Sequence, residues 1–235
     1  MSWHLGRLAG FDLETTGVDF ENDRIVTACV VQCGGGQPTA SATWLADPGI
    51  EIPEQAAAVH GITTERARAE GRPVAEVVAD VVAALGQAIT HGLPVVAMNA
   101  RFDLTMLDRE ARRYGLEPLP AGFPVVDPYV IDKQVDKYRK GSRKLTALCE
   151  HYQVPIGDAH TADADAIAAC RVAWRQGSRY EQLAAMNLDE LHTAQVAWAA
   201  EQAAGLQRFL RKSNPDAFCP TAWPLVPHQR NGGGA

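Results

Sequence analysis

Four acidic residues and one histidine stand out in this chain, spread over three short motifs. The first is Phe11-Asp12-Leu13-Glu14-Thr15-Thr16-Gly17, the second Asn99-Ala100-Arg101-Phe102-Asp103, and the third His160-Thr161-Ala162-Asp163-Ala164-Asp165-Ala166. Asp12 and Glu14 are two apart at the end of an apolar run that reads as a strand, so alternation puts both carboxylates on one face. Such a pair repels and loses solvation unless a counter-charge is supplied. Hard divalent cations, which take oxygen ligands, supply it. A lone D-x-E is common and is also compatible with a solvated strand edge. Phe11 before it and Thr-Thr-Gly after it make the motif more specific. Taken in order, the three motifs point to metal-assisted hydrolysis of a phosphodiester.

Asp103 follows a short apolar strand and stands at the start of a helical pattern. Alone it reads equally as an acid placed to meet the helix dipole; Asn99 and Phe102 at their offsets favour a site. His160 precedes another helical pattern and Asp165 lies one turn inside it. A spacing of five does not align them on one helical face, so His160 belongs to the loop and can approach a site that Asp165 also faces. Thr161 suits the N-cap. Asp163 is a rival carboxylate, accounted for as a first-turn acid.

The elements that must carry these residues follow from periodicity. Residues 8–13, 25–33 and 40–45 read as three strands of a meander, the second ended by Gly34-Gly35-Gly36. Val74, Val77, Val78, Val81, Val82 and Leu85 recur at helical spacing over 73–89, with Pro73 at the helix start. Residues 94–98 and 125–126 read as short strands, and 102–114, 145–152 and 161–176 as helices. Strands followed by alternating helices and strands imply an α/β fold with a mixed sheet. From about residue 177 the composition shifts, and 183–210 is rich in Ala, Gln and Leu and reads as one or two helices. The expected organisation is a domain over 1–178 and a C-terminal helical extension over 179–235 that ends in a disordered tail.

The chain has 235 residues, of which 46% are hydrophobic, enough for a packed core. It shows no apolar run long enough to span a bilayer and no basic-then-apolar leader, so no membrane association and a cytoplasmic location are expected. Five scattered cysteines without a C-x-x-C pair argue against a disulfide framework or a zinc site. The net charge of −6 argues against a nucleic-acid partner until its distribution is considered. Residues 133–144 hold Lys133, Lys137, Arg139, Lys140, Arg143 and Lys144 against Asp136 alone. That is either a solvated loop around Gly141-Ser142 or a phosphate-binding segment.

The three motifs resemble those of the DEDDh exonucleases, the DnaQ-like family that includes the proofreading subunit of bacterial DNA polymerase III and ribonuclease T. Asp12-x-Glu14-Thr15-Thr16-Gly17, Asn99-x-x-Phe102-Asp103 and His160-x-Ala162-x-x-Asp165-Ala166 match in order, and His60-Gly61-Ile62-Thr63 is a fourth similar segment. Met98 departs from the pattern, standing where these enzymes often carry histidine. The likeness runs over about residues 7–176. It implies a ribonuclease H-like fold, a five-stranded mixed sheet flanked by helices. It also implies that Asp12, Glu14, Asp103 and Asp165 hold two Mg²⁺ or Mn²⁺ ions, with Asp12 bridging, and that His160 deprotonates the attacking water. The family's tyrosine branch would place its base at position 161, which is Thr161 here. Thr15, His60 and Phe102 are candidates for holding the 3′-terminal nucleotide, Phe102 either by stacking on a base or as a packed core residue. The implied activity is 3′→5′ exonucleolysis of single-stranded ends with release of nucleoside 5′-monophosphates, DNA favoured over RNA. The alternatives are an exoribonuclease of the ribonuclease T type and a polymerase-associated proofreading subunit. A polymerase subunit and a second copy of the chain are the protein partners left open.

Overall fold

The central strand of the sheet is the one that carries Asp12 and Glu14. In the computed structural model, which describes residues 2–156 and 162–228, β1 (Arg7–Thr15) pairs antiparallel with β2 (Ile25–Gly34), and β2 with β3 (Ala40–Asp47). At the edge beyond β3 lies β4 (Arg72–Pro73), a parallel strand of two residues. On the other side of β1 stand the short parallel strands β5 (Val95–Val96) and β6 (Val125–Val126). The order is β4-β3-β2-β1-β5-β6. The expected five-stranded mixed sheet is therefore present, with β4 added at its edge. Gly34, Gly35 and Gly36 end β2, all with positive φ, which a side chain would resist.

Helices α1 (Glu54–His60) and α2 (Thr64–Glu70) follow β3, and α3 (Val74–Thr90) and α4 (Ala100–Arg113) follow β4 and β5 respectively. After β6 come α5 (Pro128–Val135), α6 (Leu145–Tyr152), α7 (Ala162–Arg179), α8 (Glu181–Ala184) and α9 (Leu188–Leu210). Phe11 and Leu13 face a core shared with Val77, Val78, Val81 and Leu85 of α3 and with Leu104 and Leu107 of α4. Leu8 lies on the opposite face of β1, in a second core with Ala166, Ala169 and Cys170 of α7. The alternation that separates these two cores also sends Asp12 and Glu14 toward α7.

The approach of α7 requires Gly10. A Cβ there would lie 2.6 Å from Val31 Cγ1, 2.8 Å from the Ala166 carbonyl oxygen and 2.8 Å from Cys170 Sγ. The C-terminal segment also enters the cores. Asn187 and Glu190 form a capping box at the start of α9. Leu191, Gln195, Ala199 and Ala203 of that helix are buried. Residues beyond α9 return to α4, where Val226 N–H donates to Thr105 Oγ1 at 3.1 Å and Arg109 donates to the Val226 and Pro227 carbonyls. The tail expected to be disordered, 231–235, lies outside the described residues.

Candidate active site

The site forms where β1 ends. Asp12, opposite Cys29, and Glu14, opposite Thr27, point to the α7 face, and α7 brings Asp165 in its first turn. Ligand oxygens of Asp12, Glu14 and Asp165 lie within 4.8 Å of one another. Asp103 arrives from the first turn of α4 and is 4% exposed. Its Oδ1 accepts the Leu13 N–H at 3.1 Å, which fixes its carboxylate against the strand segment between Asp12 and Glu14.

The electrostatics are those of acids buried close together. Burial raises the Asp12 carboxyl well above the usual range, and the charges of Asp103, Glu14 and Asp165 raise it further. Glu14 is pushed up to about 7 by burial and by Asp165. Asp103 is raised by burial, against the lowering effect of its backbone hydrogen bonds. Among the described residues no cation forms an ion pair with Asp12, Glu14 or Asp103. A donor set of carboxylate oxygens this close fits a hard divalent ion, which would reverse the repulsion.

The other candidates are placed unequally. The His60-Gly61-Ile62-Thr63 segment is the junction of two helices. His60 ends α1, Gly61 takes the left-handed C-cap at φ 74°, Ile62 is buried, and Thr63 caps α2 through the Arg66 N–H. His60 Nδ1 accepts the Ile62 N–H at 3.2 Å, so a neutral ring carries its proton on Nε2, and burial lowers its pKa. Thr15 Oγ1 donates to the Gly17 carbonyl at 2.6 Å, a local bond that closes the turn after β1. Phe102 is half-buried and packs against the larger core, its ring 5.8 Å from that of Phe20. His160 and Thr161 lie outside the described residues.

One cleft opens beside Glu14, and another lies on the far side of the sheet's parallel strands. The first, of about 460 Å³, runs over β2 and β3 past Glu14, Thr27 and Thr43, with walls from His60, Arg66 and Asp163. The second, of about 570 Å³, lies beyond β5 and is lined by Met98, Asn99, Tyr129, Ser142, Arg143 and Lys144. The basic segment borders this second cleft, but its six cations do not act alike. Arg139 and Arg143 both pair with Asp132, which is fully buried, and Tyr152 Oη donates to the same carboxylate at 2.8 Å. These two arginines tie the loop between α5 and α6 back to α5, and Lys133 lies over the Tyr129 ring, whereas the exposed Lys137, Lys140 and Lys144 form no ion pair among the described residues. The alternative of a phosphate-binding segment is thereby left to the lysines, with Arg139 and Arg143 engaged within the protein.

Asp127 is a supporting residue that sequence reasoning passed over. It caps α5 and also accepts the Asn99 and Ala100 N–H groups, each at 3.0 Å. Asn99 has φ 61°, a conformation asparagine tolerates better than most residues. The start of α4, and with it Asp103, is pinned by this carboxylate. The signal was present: aspartate followed by proline is an N-cap with proline at the first helical position.

Comparisons with known proteins bear on the family and the fold. The RNase_T exonuclease family model matches residues 9–173. The PolC-type DNA polymerase III of Lacticaseibacillus paracasei is 29% identical over 158 residues, which is 67% of this chain and 10% of that protein. The Oceanobacillus iheyensis PolC-type DNA polymerase III is 28% identical over 182 residues, 77% of this chain and 12% of that protein. The chain thus spans about a tenth of the length of these relatives. Among solved structures, exonuclease I matches with a TM-score of 0.67 at 19% identity, over 76% of this chain and 42% of that one. E. coli exonuclease I in complex with a dT13 oligonucleotide gives a TM-score of 0.65 at 20% identity, with the same coverage.

Proposed function

The chain belongs to the RNase_T family of exonucleases, and on that premise we propose that it is a metal-dependent 3′→5′ exonuclease. Its substrate in this reading is the 3′ end of single-stranded nucleic acid, DNA before RNA, and its products are nucleoside 5′-monophosphates. The observation that carries the proposal is the convergence of Asp12, Glu14 and Asp165 within 4.8 Å, with Asp103 locked behind them by the Leu13 N–H. The preference for DNA is supported by the PolC-type polymerase relatives and by the oligonucleotide held in one exonuclease I structure.

Asp12, Glu14, Asp103 and Asp165 would hold two Mg²⁺ or Mn²⁺ ions. The chemistry such a pair supplies is a lowered pKa for the attacking water and stabilisation of the leaving 3′-oxygen. The chain's own groups do the rest. His160, assigned by its motif alone, takes the proton of the attacking water, as suits an imidazole near neutral pH. In this reading His60, Thr15 and Phe102 remain the candidates for holding the terminal nucleotide. The lysines of 133–144 hold the strand's phosphates along the second cleft. The PolC likeness favours a second reading, in which this module serves a polymerase as its proofreading partner. A cytoplasmic location accords with both; among the described residues no helix is long and apolar enough to cross a membrane.

The test is degradation of 5′-end-labelled single-stranded DNA and RNA of matched sequence, with and without Mg²⁺. A ladder shortening from the 3′ end of DNA, abolished by EDTA, is expected. Preferential loss of the RNA would move the assignment to an exoribonuclease.

A further inference from the structure

The outer face of α7 carries a basic ridge that the catalytic cluster does not use. Arg171, Arg175 and Arg179 recur every fourth residue and are exposed, as are Trp174 and Ser178 between them. Among the described residues no carboxylate forms an ion pair with any of the three arginines. The chain's net charge is −6, and three other surface arginines, Arg66, Arg72 and Arg112, are paired with acids. The ridge borders a groove of about 500 Å³ between α7 and the end of α6, lined by His151, Tyr152, Gln153, Arg175, Ser178 and Arg179.

What the arginines do touch leaves their charge available. Arg171 donates to the Pro155 carbonyl at 2.9 Å. Arg175 lies over the Trp174 ring and Arg179 over the Tyr152 and Tyr180 rings. Arg179 Nη1 is 3.3 Å from His151 Nε2. Stacking on aromatic faces orients a guanidinium without neutralising it, and its N–H edge stays free for a phosphate. Four residues of helix advance about 6 Å, comparable with the distance between successive phosphates of a nucleic-acid strand. Trp174, 40% exposed, offers a face on which a base can stack.

We propose that this ridge is a second nucleic-acid contact, which binds the sugar–phosphate backbone of a single strand outside the catalytic cleft. The proposal rests on the exonuclease reading for its ligand class. Asp165 and Arg175 sit on the same helix, ten residues or about 15 Å apart along its axis. A strand whose 3′ end lies at the carboxylates therefore needs several nucleotides to reach the ridge. Short strands engage only the catalytic cleft, and long strands engage both.

The experiment compares full-length wild type with R175E/R179E, R175K/R179K and W174A. These positions are exposed and outside the catalytic cluster, and circular dichroism verifies the fold. Binding is read by fluorescence anisotropy in Mg²⁺, on 3′-phosphorothioate oligothymidylates that resist cleavage: a tetranucleotide and a strand five times as long. For R175E/R179E the long strand should bind about tenfold more weakly, and the log–log salt slope should fall by about 1.4, the worth of two single-strand phosphate contacts. The tetranucleotide affinity and its turnover as a cleavable substrate should not change. R175K/R179K should retain the slope, and W174A should weaken long-strand binding severalfold with the slope intact. Unchanged long-strand binding in R175E/R179E, or equal losses on short and long strands, would overturn the proposal while leaving the exonuclease assignment in place. A wild type that neither binds nor degrades either strand would overturn both.

Discussion

Trp223 and Asp127, 96 residues apart, are joined by a buried hydrogen bond: the indole Nε1–H donates to Asp127 Oδ2 at 3.3 Å. The same carboxylate holds the first N–H groups of α4, and the Asp127 backbone N–H donates to Gln195 Oε1 of α9 at 2.7 Å. The C-terminal segment is therefore braced against the helix that delivers Asp103. Burial raises the Asp127 pKa while the Trp223, Asn99, Tyr129 and Val130 donors oppose that rise. Replacing Trp223 with phenylalanine removes one donor to a buried carboxylate, at a cost of about 1.5–3 kcal/mol. Urea unfolding should record that loss, with a smaller fall in turnover. Unaltered stability would mean the contact does not brace α4.

Gly10 is predicted to support the metal site although it carries no ligand. Gly10→Ala would put a methyl within 2.8 Å of the Ala166 carbonyl and of Cys170 Sγ, and α7 must shift to admit it. Overpacking of this kind costs about 1–3 kcal/mol, and the shift would move Asp165 away from Asp12. Mn²⁺ titration by calorimetry should show weakened binding although no carboxylate has been altered. Wild-type affinity would show that the close packing of α7 on β1 does not set the metal geometry.

The raised carboxyls make the metal-free protein sensitive to pH with a definite sign. Glu14 has a pKa of about 7 when folded against an ordinary value of 4.5. The folded state then binds more protons than the unfolded state between these values, so stability is full below about 4.5 and is lost as pH rises toward 7. In EDTA the melting temperature should fall across this window, less steeply in Glu14→Gln, and Mg²⁺ should restore it. A wild-type melting temperature that rises through the window would contradict the electrostatics described for the cluster.

Within 133–144 the cations should separate into two kinds. Charge reversal of Lys137, Lys140 and Lys144 should weaken single-strand binding and lower the salt slope by about 2, with turnover at saturation retained. Arg143→Ala should instead lower stability, because it strips an ion-pair partner from the fully buried Asp132. Equal effects of both changes on the slope would return Arg143 to the phosphate-binding set.

Much of the fold was legible because periodicity writes it locally. The alternation of Leu8, Gly10, Asp12 and Glu14 on β1, and the valines of α3, each follow from a single element's own pattern. Helices α1 and α2, seven residues each, are too short for a 3.6-residue period to show, and they went unread. The placement of Asp103 against Leu13 spans 90 residues, and Arg139 and Arg143 fold back from the loop after α5 onto the buried Asp132. Such contacts are written in tertiary packing, which spacing along the chain does not record. That is why the basic run looked uniform in sequence and divides in the structure.

The central claim is that the carboxylates of β1, α4 and α7 form one metal-dependent nuclease centre. The most direct measurement is 3′→5′ degradation of end-labelled single-stranded DNA by wild type and by Asp12→Asn, each across a Mg²⁺ titration, with the folded state checked by thermal melting. Asp12 lies at the centre of the cluster, with the charges of Asp103, Glu14 and Asp165 all acting on it. The account predicts Mg²⁺-dependent shortening from the 3′ end by the wild type, and none above background by a folded Asp12→Asn at any Mg²⁺ concentration. Near-wild-type turnover in that variant, or wild-type activity that persists in EDTA, would contradict it.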